Sequence, residues 1–126
     1  MAFAPTNPLY GLDIVLVGRT AVRASSGPFI THKLITLASI AECESGGRQY
    51  NADGSVKRGR VNPNDTGLYQ INKTVWGAKA KELGYDILTE EGNIKMANWI
   101  YDKYETKPWN ASKKCWNTSR SDYVNT

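Results

Sequence analysis

Apolar positions recur with helical spacing in three stretches of the chain. Leu34, Leu37, Ala38 and Ala41 follow the i, i+3, i+4, i+7 rule, which turns one stripe of a helix toward a core. Thr31 supplies an N-cap oxygen ahead of them and Gly46-Gly47 ends the run, so a helix is expected from Thr31 with Glu44 in its last turn. A second helix is expected from Asn72 or Lys73 to Leu83, stopped by Gly84. A third begins at Thr89, carries Glu90 and Glu91 where the positive end of the helix dipole favours them, and buries Ile94, Ala97, Tyr101 and Tyr104. Pro108 closes it. Residues 109–116 leave room for one short helical turn around Cys115, and the tail from Asn117 is polar and expected to fray.

Elsewhere the helical period is lost. Residues 1–29 hold Pro5, Pro8, Pro28 and a Ser25-Ser26-Gly27 break, the pattern of an arm or linker with one short strand over residues 13–17. Residues 48–66 are polar and contain the Asp53-Gly54 turn signal, as in a hairpin or loop-rich β-lobe. The expected division is an arm over 1–29, a domain over 30–116 and a polar tail over 117–126, without internal repeats. Its class is α+β: mainly helical, with a short β-hairpin lobe beside a cleft.

Two carboxyls border that joint. Glu44 closes an apolar helix, and partial burial disfavours a charged carboxylate, keeping a proton available near neutral pH. Leu37, Ala41 and Glu44 share one face, whereas Glu42 lies about 200° away around the helix and cannot enter the same cleft. Asp65 follows Asn62-Pro63-Asn64, a turn rich in hydrogen-bonding groups in which an aspartate stays ionised. An acid and an anion across a cleft are the equipment of glycosidic cleavage. Each carboxyl also has a plainer reading, as a solvated helix-end glutamate and a turn-capping aspartate. Gln70 and Asn72, alternating along an extended segment after Gly67, can face the cleft and bond sugar hydroxyl or acetamide groups. Tyr69, Tyr101, Trp76 and Trp109 are candidates for stacking on sugar faces; Trp76 and Tyr101 also fit core stripes, which leaves Trp109, after Pro108, as the better platform.

Composition narrows the class. A chain of 126 residues supports one core, and four Trp and seven Tyr argue against disorder. Sixteen Lys+Arg against twelve Asp+Glu give +4, which suits anionic surroundings. The one dense basic group, Arg48, Lys57, Arg58 and Arg60, lacks the interleaved aromatics of a single-strand binder, so no nucleic-acid partner is expected. No stretch reaches the ~20 apolar residues of a bilayer span, and no export signal is visible. Cys43 and Cys115 either pair or are both free; an even count without CxxC spacing favours pairing, and with it an oxidising compartment.

Taken together, Cys43-Glu44-Ser45-Gly46-Gly47, Asp65-x-Gly67-Leu68-x-Gln70-Ile71-Asn72, Asn93 with Met96-Ala97 and Ile100-Tyr101, Pro108-Trp109 and Cys115-Trp116 resemble the lysozyme-like superfamily. Soluble-lytic-transglycosylase-type and resuscitation-promoting-factor-like domains are the nearest in pattern. The resemblance spans residues 31–116. It implies a small lysozyme-like fold, peptidoglycan glycan strands as substrate, cleavage between N-acetylmuramic acid and N-acetylglucosamine, no metal or organic cofactor, and an extracytoplasmic monomer. It further implies Glu44 as catalytic acid, Ser45 as its supporting hydroxyl, Gln70 as the glutamine of a Gly-Leu-Met-Gln motif, and a Cys43–Cys115 bond of the resuscitation-factor kind. Ser45, Tyr69, Gln70, Asn72, Asn93, Tyr101 and Trp109 are the substrate-binding candidates; Glu44 and Asp65 are the catalytic ones.

The chain departs from the pattern too. Tyr69 stands where transglycosylases carry Met, Gly46-Gly47 replaces Ser-x-Phe, and the later tyrosine motif is missing, while the Asp65 segment is similar to that of animal-type lysozymes. Hydrolysis is therefore the first reading and 1,6-anhydro formation the alternative. A wall-binding module without turnover and a cationic antimicrobial are the readings from other classes. Asn64, Asn72, Asn110 and Asn117 all open N-glycosylation sequons, two of them within the cleft motif, which favours a bacterial or phage origin.

Overall fold

A computed structural model of the chain describes residues 14–17, 20–23 and 28–124, with side-chain surroundings described from His32 to Thr118. Strands β1 (Ile14–Val17) and β2 (Thr20–Arg23) pair antiparallel with Val15 opposite Val22, and β2 lies against the first helix. The strand expected near residue 14 thus has a partner that the sequence did not announce. Pro5, Pro8, Asp13 and the Ser25-Ser26-Gly27 break lie outside the described residues.

Helix α1 (Pro28–Ser45) begins about a turn earlier than expected, so Thr31 is inside the helix rather than its cap. Pro28 suits a first helical position, where a missing N–H and a fixed φ cost nothing. Leu34, Leu37, Ala38 and Ala41 are buried as the period requires. Gly46 and Gly47 end the helix at φ 70° and 76°, and their N–H groups return to the Glu42 and Ala41 carbonyls.

The lobe that follows is a set of short pairings. Tyr50 bridges Val56 across the Asp53-Gly54 turn, Arg58 bridges Thr66, and β3 (Asp65–Thr66) pairs with β4 (Ile71–Asn72). Helix α2 (Lys73–Leu83) is capped by the Asn72 side chain, which accepts from the Thr74 and Val75 N–H groups. Its far end closes through Gly84 and Tyr85 onto the Lys81 and Ala80 carbonyls.

Helix α3 (Glu90–Tyr104), capped by Thr89, drives Ile94, Met96, Ala97 and Ile100 into the core. Tyr104 was expected inside and is 44% exposed. It keeps the face of Ala97 and Ile100, but as the last residue of α3 it lies beyond the core, with its ring against Trp76 and Trp99 at the surface. A 3-10 segment (Lys107–Ser112) leads into helix α4 (Lys113–Val124), which packs along α1 and is tied to it by the Cys43–Cys115 disulfide. Helix α4 therefore occupies most of the stretch read as a fraying tail: buried Trp116 and the disulfide hold a segment whose composition alone is too polar to predict a helix. The result is a small mixed domain of four helices and short antiparallel pairings, with one core of Leu37, Ile40, Ile71, Ile94, Met96, Ile100 and Trp116. No helix among the described residues is long and apolar enough to cross a membrane.

Candidate functional site

The end of α1, the lobe and the 3-10 segment meet around a groove of about 490 Å³. Glu44 lines one side; Asp65, Gln70 and Asn72 line another; Trp76 and Lys107 are also on its walls. Glu42, two positions away, is exposed, as its helical angle requires.

Glu44 is half-buried, and its Oε2 accepts the Ser112 hydroxyl. Burial pushes its pKa above the ordinary glutamate value, the Ser112 hydrogen bond pulls it back, and the negative charge of Asp65 raises it further. The last effect requires that the two carboxyls share a field. Asp65 itself stands on β3 rather than inside the turn, and its pKa is also raised by burial, against the hydrogen bond from Asn72. Burial on the strand thus works against the ionised form that the turn context suggests, and the Asn72 hydrogen bond works for it. The Asn62-Pro63-Asn64 turn satisfies its own groups, through Asn64 N–H to Asn62 Oδ1, and releases Asp65 into the strand facing the groove. Glu44 remains the more deeply buried of the pair.

The lobe wall is built on buried side-chain amides. Asn93 donates to the Thr66 and Ile87 carbonyls and accepts from the Tyr69 N–H, while Gln49 donates to Ile87 O and accepts from the Leu68 N–H. Both are almost fully enclosed. Between them Gly67 takes φ 74°, and a Cβ there would lie 2.5 Å from Asn93 Nδ2 and Gln49 Oε1, so no other residue fits. Gln70 closes the turn at φ 48°, a left-handed conformation costing of order 1–3 kcal/mol for a non-glycine. Its N–H and its side-chain amide both donate to Gly67 O, which holds it there. Gln70 and Asn72 do not alternate along one extended segment as expected, yet both reach the groove.

Several expected binding residues serve the framework. Asn93 is the brace just described and is 0% exposed. Ser45 is buried, donates to Ala41 O and accepts from Arg48 N–H, so it does not support Glu44. Tyr69 is buried, and its carbonyl receives the Trp109 indole N–H. Trp109 lies in the 3-10 segment at 4% exposure; it forms groove floor without a face free for stacking. Tyr101 is half-buried with Lys33 over its ring and is not on the groove. Trp76, assigned to the core, is the aromatic that the groove shares with the surface, packed on Tyr104 and Trp99. The basic group is partly structural: Lys57 Nζ donates to Ser45 O at 2.6 Å and Arg58 donates to Thr66 Oγ1.

The sequence reading missed Ser112, Gln49 and Lys107. Ser112 was visible only as the end of the Asn110 sequon. Its signal lies in the cysteines: once Cys43 and Cys115 are joined, the neighbour of one meets a residue three before the other. Gln49, a lone amide in a polar stretch, carried none. No cluster among the described residues gathers the three or more His, Cys, Asp or Glu side chains of a metal site. No protein-family model, curated protein or solved structure matches the chain.

Proposed function

We propose that this protein is a muramidase of lysozyme type, hydrolysing the bond between N-acetylmuramic acid and N-acetylglucosamine in peptidoglycan. The observation that carries the proposal is one groove holding two carboxyls of unequal burial, with Glu44 shielded and hydrogen-bonded and Asp65 more open. The protonated Glu44 donates to the leaving glycosidic oxygen, and the Asp65 carboxylate stabilises the oxocarbenium-like transition state. Glu44, now ionised, takes a proton from the attacking water and is restored. Gln70 and Asn72 offer amides to the sugar, and Lys107 offers a cation to an acidic substituent. The Cys43–Cys115 disulfide fits an oxidising, extracytoplasmic setting.

Digestion of purified peptidoglycan followed by mass spectrometry of the muropeptides tests this directly. New reducing ends that vanish in Glu44→Gln are expected. Ends lighter by one water assign the same groove to a lytic transglycosylase. Binding without cleavage by both proteins identifies a wall-binding module and overturns the enzyme.

A further inference from the structure

Ser112 ends the 3-10 segment, three residues before Cys115, whose sulfur is bonded to Cys43, the neighbour of Glu44. Chain connectivity and the covalent bond together bring its hydroxyl to the acid. That hydroxyl has two acceptors within reach: Glu44 Oε2, and the Trp109 carbonyl at 3.2 Å. One O–H hydrogen serves only one of them well at a time. The Trp109 carbonyl is itself fixed, since it also receives the buried Trp116 indole N–H at 3.0 Å.

We infer that Ser112 is the positioning residue of Glu44, its single hydroxyl hydrogen pointing to the carboxylate when Glu44 is ionised and to the Trp109 carbonyl when Glu44 is protonated and donates to Ser112 Oγ. Glu44 then keeps one orientation through both halves of an acid–base cycle, without a partner that must leave and return. Ser112 itself gains and loses no proton in the switch: its hydroxyl rotates, while the proton that Glu44 gives up goes to the leaving glycosidic oxygen and the one it regains comes from the attacking water. The other charged groups facing Glu44 across the groove are Asp65 from β3 and Lys107 from the 3-10 segment. Neither replaces the hydroxyl, because no described hydrogen bond joins either of them to the Glu44 carboxyl. The role in catalysis rests on the proposed muramidase reading; the hydrogen-bond alternation does not.

Side-chain carboxyl NMR titration of Glu44 in the intact, oxidised protein separates the two. Since the Ser112 bond lowers the Glu44 pKa, Ser112→Ala is expected to move the titration upward and Ser112→Thr, which keeps the hydroxyl, to restore it. On peptidoglycan, Ser112→Ala should lower kcat roughly tenfold with KM little changed, a small share of the ~10²–10⁴-fold that a general acid supplies. The descending limb of its pH profile should move to higher pH with the titration. A Glu44 titration that does not move in Ser112→Ala, or one that Ser112→Thr fails to restore, overturns the inference. The expected shift in a protein that leaves peptidoglycan uncut upholds the positioning and overturns the muramidase reading instead.

Discussion

The two walls of the groove are held by different physics. The Glu44 wall is helix against helix, with α1 packed along α4 and the pair joined by the Cys43–Cys115 bond. The Asp65 wall has little regular structure: two-residue strands, a left-handed turn at Gly67–Gln70, and the Gln49 and Asn93 amides bonded to backbone. A covalent tie restricts the unfolded chain as well as the folded one. A buried amide acts only in the folded state, where every group it leaves unpaired costs free energy. Glu44 is therefore held by a crosslinked frame and Asp65 by a hydrogen-bonded one.

On the proposed reading, the largest expected effect separates Glu44 from its neighbour Glu42. Glu44→Gln should reduce wall cleavage by about 10²–10⁴-fold, measured as muropeptide release, while Glu42→Gln, on the exposed side of the same helix, leaves it unchanged. Next, replacing both cysteines by serine should lower unfolding free energy in denaturant by about 4 kcal/mol, from the length of the loop that the bond closes. In that variant α4 amides should exchange faster, while the Leu68 and Tyr69 amides stay slow. Asn93→Ala should reverse the pattern: a loss of about 3 kcal/mol as its backbone partners lose their bonds, with Tyr69 N–H released first. If both variants loosen the two walls equally, the distinction between the frames is wrong.

The smallest effect concerns pH. The folded pKa of Glu44 lies above its unfolded value, so the ionised side chain costs the folded state. Its favourable contribution is complete below the ordinary glutamate range and is lost as pH rises through the raised pKa. Glu44→Gln, with no such charge, should match the wild type in thermal midpoint at low pH and exceed it at neutral pH. An advantage at low pH that disappears at neutral pH would contradict the burial of Glu44.

The helical wall was largely legible from residues alone, because a 3.6-residue period reports burial directly: Leu34, Leu37 and Ala41 fixed the face of α1, and with it the orientation of Glu44. Caps at Asn72, Thr89 and Gly84 marked the other boundaries for equally local reasons. The lobe resisted the same treatment. Asn93 and Gln49 sit far in sequence from the turn they brace, and a polar residue does not reveal whether it faces sugar or a backbone carbonyl. Trp109 was misread for a related reason: following Pro108 looked like exposure, whereas the indole N–H had a buried acceptor in Tyr69 O. The α4 helix escaped because its stability comes from a partner helix and a crosslink, neither of which leaves a periodic trace in residues 113–124.

Lys57 spans the two frames, its ammonium resting on the Ser45 carbonyl at the very end of α1. Parting the lobe from that helix returns this cation and carbonyl to water. That corner of the fold is consequently latched, and the lobe and the helix shift relative to each other there only as far as one charge-assisted bond allows.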